Sequence, residues 1–378
     1  MVFFDLSRQI LIESREDDPR LIRFLEGQLA PFPPTPAPPD ARPPDVVIAP
    51  SIEEAGPIVE EQREANDGMT SATDGRRLFV LADDRRCAIP DALDEGPARF
   101  DHDPGFPLWR IFRSAVRPAM QVGLSASGRG VAVHAASVTI DGGAVVVAGW
   151  SESGKTETAL GLMEGGAAFL SDKWTLIGAD AQASAFPISV GIRRWVLHDL
   201  PTLRSSLTGA ARIQFTAARL ASLALDPVAG MPARTRSRDV LADAARRAMA
   251  LGDRAAFGMA EIRAAYGQTD DPGRRVPVRL VVALRTVPGT DIRVRPGDPI
   301  AVAARLARSA AYERRHYFEL LQRAGYAMPS RMATAQERAI AADEGRLRAL
   351  FERVRVIVVE APFPTDPRPV ADAILAAA

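Results

Sequence analysis

Apolar positions along the chain gather in runs of about four to six residues, a length that predicts strands more often than helices. Residues 9–13 (QILIE), 45–48 (DVVI) and 77–82 (RLFVLA) read as strands. Residues 18–29 read as a helix opened by the acidic pair Asp17 and Asp18. Between them, 31–44 (PFPPTPAPPDARPP) holds eight prolines in fourteen residues, which predicts an extended connector and excludes a helix or central strand. An apolar helix is expected over 107–122. From residue 128 the pattern becomes βαβ, with strands at 128–137 (GRGVAVHAAS) and 144–148 (AVVVA). A helix follows at 155–164, stopped by Gly165 and Gly166, and a strand returns at 167–170. Two more buried strands, 279–284 (RLVVAL) and 355–360 (RVIVVE), are separated by amphipathic helices at 299–324 and 334–354. The Arg/Ala-rich stretch 238–266 reads as helical. Residues 1–122 thus form a small α/β domain of unassigned role, and 123–378 a second unit with a helical insertion about 236–268.

Composition narrows the class. A chain of 378 residues, 47% hydrophobic and 25% charged, can bury a large core and resembles a soluble protein. Its 47 basic and 47 acidic side chains cancel, which argues against nucleic-acid binding as the main function. Cys87 is the single cysteine, which excludes an intrachain disulfide and a multi-cysteine metal site and suggests a reducing compartment. No apolar run approaches the roughly 18 residues of a membrane span, so a cytoplasmic protein with no integral membrane segment is expected. Only two of the 47 basic residues are lysines, Lys155 and Lys173.

Lys155 sits in a motif. Residues 149–158, GWSESGKTET, carry Gly149, Gly154, Lys155 and Thr156 in the G-x-x-x-x-G-K-[ST] spacing of a phosphate loop. The order strand, glycine loop, helix, strand, acid is the context such a loop requires. Backbone N–H groups of Ser151, Glu152, Ser153, Gly154, Lys155 and Thr156 are expected to converge on a β-phosphate at the positive helix end. Lys155 would bridge the β- and γ-phosphates of ATP, and the Thr156 hydroxyl would hold Mg²⁺. Asp172, after an apolar strand, suits a Mg²⁺ ligand, a base for an attacking hydroxyl, or a simple turn residue. His134, on the strand before the loop, is either structural or part of the site. Arg193 and Arg194 read as solvated arginines in preference to clamps for phosphate or an acidic acceptor.

The run from His134 to Ile177 resembles the catalytic core of HPr kinase/phosphorylase. A histidine precedes the loop, Thr156-Glu157-Thr158-Ala159-Leu160 opens the helix, and a glycine-led strand from Gly166 ends at Asp172. The resemblance covers about 45 of the 378 residues closely. It implies an α/β fold with a phosphoenolpyruvate-carboxykinase-like P-loop core, ATP and Mg²⁺ as cofactors, and phosphorylation of a hydroxyl. By that implication His134 and Asp172 are the catalytic pair, with Asp172 taking the acceptor's proton. Glu157 either helps to organise the metal or is a favourable first-turn acid. Relatives of this type are often homo-oligomers.

Two departures are visible. Lys173 stands where the family has a second Asp, and it either depresses the pKa of Asp172, steadies phosphoryl oxygens, or is a solvated lysine after a strand. The glycine-rich signature of the bifunctional enzymes has only a weak counterpart in 186–194 (FPISVGIRR). A divergent relative with a different acceptor is therefore expected. The acceptor is a protein or peptide serine in one reading and a metabolite or lipid alcohol in another. A third reading is a nucleotide-binding switch without turnover.

Overall fold

The apolar run 144–148 is continuous because both faces of its strand are covered. Val145 and Val147 belong to one buried cluster, and Ala144, Val146 and Ala148 to another on the opposite side. A strand buried on one face only would alternate with polar residues. The computed structural model describes residues 1–52, 55–63, 70–90, 96–207, 209, 213, 215–217, 254–328 and 335–378. It is a mixed α/β protein with several sheets.

Among the described residues the largest sheet has nine strands. Gly143–Gly149 pairs antiparallel with Ala135–Ile140 and parallel with Val276–Thr286, which pairs parallel with Arg355–Ala361. Ala168–Ser171 lies antiparallel on the far side of Ala135–Ile140 and so runs in the same sense as Gly143–Gly149. The carboxyl ends of these four co-directional strands fall along one margin, where open α/β sheets place their ligands. Gln182–Ala185 pairs with the start of Val276–Thr286, and the sheet continues through Thr175–Gly178 to Gly130–Val133.

The segment 128–137, expected as one strand, is two. Gly130–Val133 joins Thr175–Gly178, whereas Ala135–Ile140 joins Gly143–Gly149, and His134 occupies the break where the chain changes partners. The helix expected over 107–122 is also divided. A helical turn at Trp109–Ile111 leads into a π turn at Phe112–Val116 and then the helix Arg117–Ala126. Pro118 has no N–H to return to the Ser114 carbonyl, and the Arg117 N–H reaches back to Phe112 instead. Residue 122 lies inside the last of these helices.

In the first hundred residues, Val2–Leu6, Ile10–Ser14, Val46–Ala49 and Ala98–Asp101 form a four-stranded sheet. The helix Pro19–Leu29 crosses between the parallel strands Ile10–Ser14 and Val46–Ala49. Asp18 caps it by accepting from the Arg20 N–H at 2.8 Å, and Leu21, Leu25 and Leu29 are its buried stripe. An antiparallel meander, Glu60–Arg63, Thr70–Thr73, Leu78–Ala82 and Arg85–Ile89, makes a second four-stranded sheet.

Of the expected helical insertion, 236–253 lies outside the described residues. Arg254–Phe257 is a strand paired with Val190–Arg193, not a helix, and Met259–Ala265 is helical. The amphipathic stretch 299–324 is two helices, Pro299–Glu313 and Arg315–Ala327, and Ala335–Phe351 follows. A final helix, Pro367–Ala377, lies so close to Lys155–Glu164 that a Cβ on Gly161 would come within 2.9 Å of the Pro367 carbonyl. No helix among the described residues is long and apolar enough to cross a membrane.

Candidate phosphate-binding and catalytic site

The strand margin described above carries the glycine loop. A Cβ on Gly149 would lie 2.7 Å from Ser153 Oγ and 2.9 Å from the Leu284 carbonyl. Gly154 has φ +87°, and Phe363 would meet its Cβ at 3.0 Å. Both glycines are therefore fixed by close approach or by backbone sign. The loop closes around the Trp150 carbonyl, which accepts from Ser153 Oγ at 2.9 Å and from Lys155 Nζ. Gly154 offers no side-chain cap to the helix Lys155–Glu164. The Glu157 carboxylate accepts from its own first-turn N–H, and the positive helix end borders the cleft.

This cleft, about 130 Å³, is lined by Ser151, Glu152, Ser153, Gly154, Lys155, Thr156, Glu157, Asp172, Lys173 and His134. The site residues expected from sequence are thereby brought together, with Gly149 at the base of the loop. The Glu152 carboxylate pairs with Arg193 at 2.5 Å. Arg193, expected to be solvated, lines the cleft beside Arg254.

Thr156 and Asp172 meet across the sheet margin. Thr156 Oγ1 donates to Asp172 Oδ1 at 2.8 Å, joining the first turn of the helix to the end of the strand Ala168–Ser171. Burial pushes the Asp172 carboxyl up from its ordinary pKa, against opposing bonds from Thr156 and the Lys173 N–H and the charge of Lys155. The expected depression by Lys173 is not found. Lys173 has φ +62°, and its ammonium pairs with Glu313 at 3.7 Å. Lys155 is buried, and desolvation lowers its pKa to about 8 although Asp172 and Glu313 oppose the shift. Burial also raises Glu157, with the like charge of Asp172 adding to it.

The protonation of His134 follows from its partners. Ser309 Oγ gives its proton to the Gly149 carbonyl at 2.9 Å, so it can only accept from His134 Nδ1 at 3.0 Å. Nδ1 therefore carries the hydrogen and Nε2 the lone pair. Burial, aided by Lys155, Lys173 and Arg314, lowers the imidazole to about 2. The 4.0 Å approach of Nε2 to Glu313 is consequently a contact of a neutral ring and not an ion pair. Trp174 packs against the ring at a centroid distance of 5.5 Å.

A magnesium ion usually takes one or two carboxylates and completes its shell with water and phosphate oxygens. The Thr156 hydroxyl and the Asp172 carboxylate are hard oxygen donors that fit this demand, and Glu157 stands beside them. Among the described residues, no group of three or more His, Cys, Asp or Glu side chains could hold a metal. Glu313, Ser309, Arg254 and Phe363 were not found by sequence reasoning. Glu313 ends an ordinary amphipathic helix and Ser309 is one small residue within it, so neither carried a spacing signal. No family model matches the chain, and a search of curated proteins found no match either.

Proposed function

We propose that the chain is an ATP- and Mg²⁺-dependent kinase that phosphorylates a hydroxyl acceptor, on a phosphate-loop core of the HPr kinase type. The observation that carries this reading is the 2.8 Å bond between Thr156 and Asp172 beside Lys155 at an uncapped helix N-terminus. Lys155 and the first-turn N–H groups would hold the phosphates, and Thr156 and Asp172 the metal. Bound Mg²⁺ supplies charge neutralisation at the phosphates. Asp172 is also the base that takes the proton of the acceptor hydroxyl. As that oxygen bonds to the γ-phosphorus, the bond to the β–γ bridging oxygen breaks and ADP leaves. His134 is neutral, and its Nε2 lone pair orients a donor without removing a proton. Lys173, the feature that favoured a switch without turnover, is charge-matched by Glu313.

The test is transfer from labelled ATP and Mg²⁺ by wild type, Lys155→Ala and Asp172→Asn, with ATP affinity measured separately by calorimetry. Lys155→Ala is expected to lose binding, and Asp172→Asn to bind ATP but not transfer. Transfer by Asp172→Asn at the wild-type rate would remove the assigned base, and a wild type that binds no ATP would remove the reading itself.

A further inference from the structure

A second cavity, about 430 Å³, opens beside the glycine-loop cleft and shares Lys173 and Glu313 with it. Its volume is that of a small-ligand site. Its wall combines the apolar Trp174, Ile188 and Pro118 with the cations Arg113, Arg117, Arg315 and Lys173 and with His316. The acid in this wall, Glu313, is engaged by Lys173 at 3.7 Å, and His316 pairs with Glu319 at 3.0 Å.

Arg117 is the telling residue. Its guanidinium lies over the Phe112 ring, 5.3 Å from the centroid, and Nη2 donates to Gln28 Oε1 at 3.1 Å. Its Nε is buried without a hydrogen-bond partner, and so is the Oγ of Ser114 on the same wall. Burial and the like charge of Arg113 hold the Arg117 pKa down at about 10. A buried cation with an idle donor and cationic neighbours is costly unless an anion completes it.

We infer that this cavity is the acceptor subsite and that the acceptor is a small alcohol carrying a carboxylate or phosphate group. The inference rests on the kinase reading. The anionic group lies against Arg117, Arg113 and Ser114, and the hydroxyl reaches past the Lys173–Glu313 pair toward Asp172. The reaction is ATP plus alcohol giving ADP, phosphate ester and the proton taken by Asp172. Because the cations line the wall of a cavity, the recognised anion must enter it, which a small molecule does more readily than a serine on a folded protein surface.

The full-length protein, held with a non-hydrolysable ATP analogue and Mg²⁺, is titrated with glycerate, glycerol 3-phosphate and glycerol. The arms separate carboxylate from phosphate recognition, and glycerol reports the alcohol alone. At least one anion is expected to bind tenfold or more tighter than glycerol, with at least a tenfold loss in Arg117→Gln and a smaller one in Arg113→Gln. Arg113 is exposed, so its variant keeps a readout if Arg117→Gln fails to fold. Anions that bind no better than glycerol, or equally in wild type and both variants, overturn the inference. A Lys155-dependent label found only in protein, and unchanged in both arginine variants, overturns it as well. If ATP itself binds Lys155→Ala as well as wild type, the kinase reading fails instead, whatever the anions do.

Discussion

Two clusters of buried charge lie within reach of Trp174, and they differ in how fully their polar atoms are matched. In the first, Arg314 gives Nη1 to Asp343 at 2.6 Å, Nε to Gln121 at 3.1 Å and Nη2 to the Ala132 carbonyl at 3.0 Å. Ser125 donates to the other Asp343 oxygen, and the guanidinium lies 4.9 Å from the Trp174 centroid. Every nitrogen of that guanidinium has an acceptor. In the second, around the glycine loop, Lys155 turns back to its own loop and the helix end lacks a side-chain cap; burial raises the carboxyl in both clusters, Asp343 as well as Asp172, but only in the second is an amine also lowered toward neutrality. The satisfied cluster ties the helices to the sheet. The unsatisfied one borders a cleft, and groups held away from their preferred charge states are the kind that chemistry uses.

The comparison can be broken most forcefully at Arg314. Arg314→Met should cost about 3–5 kcal/mol of stability, because it strands the Asp343 carboxylate in the core. Adding Asp343→Leu should recover much of that loss in denaturant midpoints. Equal stability of wild type and the single variant would mean that the first cluster holds nothing.

Asp172→Asn should behave in the opposite way, lowering transfer by roughly 10²–10⁴ while leaving stability unchanged or higher. The sign follows from linkage. A carboxyl whose folded pKa is raised contributes stability that is full below its unfolded pKa and is lost as pH rises through the folded value. At neutral pH the ionised form is a burden to the fold, and the amide removes it. A large drop in melting temperature would place Asp172 with Arg314 as a structural residue.

A smaller effect separates the lysine from its surroundings. Phosphate binding favours the charged amine, which is already present below about pH 8 and is lost above it. Apparent ATP affinity should therefore be flat below pH 8 and weaken by up to about tenfold per pH unit above it, with proton uptake on binding. An unchanged slope in Lys155→Ala would assign the titration elsewhere. Ser309→Ala, the mildest change, should cost about 1 kcal/mol and free the His134 Nδ1 hydrogen, which nitrogen NMR of the ring would read. Persistence of the Nδ1–H tautomer with the same exchange protection would remove Ser309 as its anchor.

How far these clusters could be read in the sequence differs as much as their chemistry. The loop helix was legible from end to end, since Gly154 and Gly165 bound it and apolar residues fill its buried face. Asp172 was legible because it ends a short apolar strand. Arg314 was not, because it lies at a break between two helices that a single amphipathic pattern runs across. His134 was recognised, but the change of strand partner at it was not, because 128–137 is apolar on both sides of the break. Arg254 lay in an Arg/Ala-rich stretch whose helix propensity was overridden by pairing with Val190–Arg193. Composition signals survive only where spacing is local, and contacts between distant segments leave no such mark.

Both lysines of the chain line the loop cleft, and the other 45 basic side chains are arginines. To an amine-selective acylating reagent the protein therefore shows, apart from its amino terminus, nothing but that cleft. Lys155, with its pKa near 8, is a reactive amine at mildly alkaline pH once its bond to Trp150 opens, and Lys173, whose pKa burial also lowers, is the more exposed of the two. Counting acyl groups by mass spectrometry, with and without nucleotide, would turn a compositional accident into an occupancy gauge for the loop.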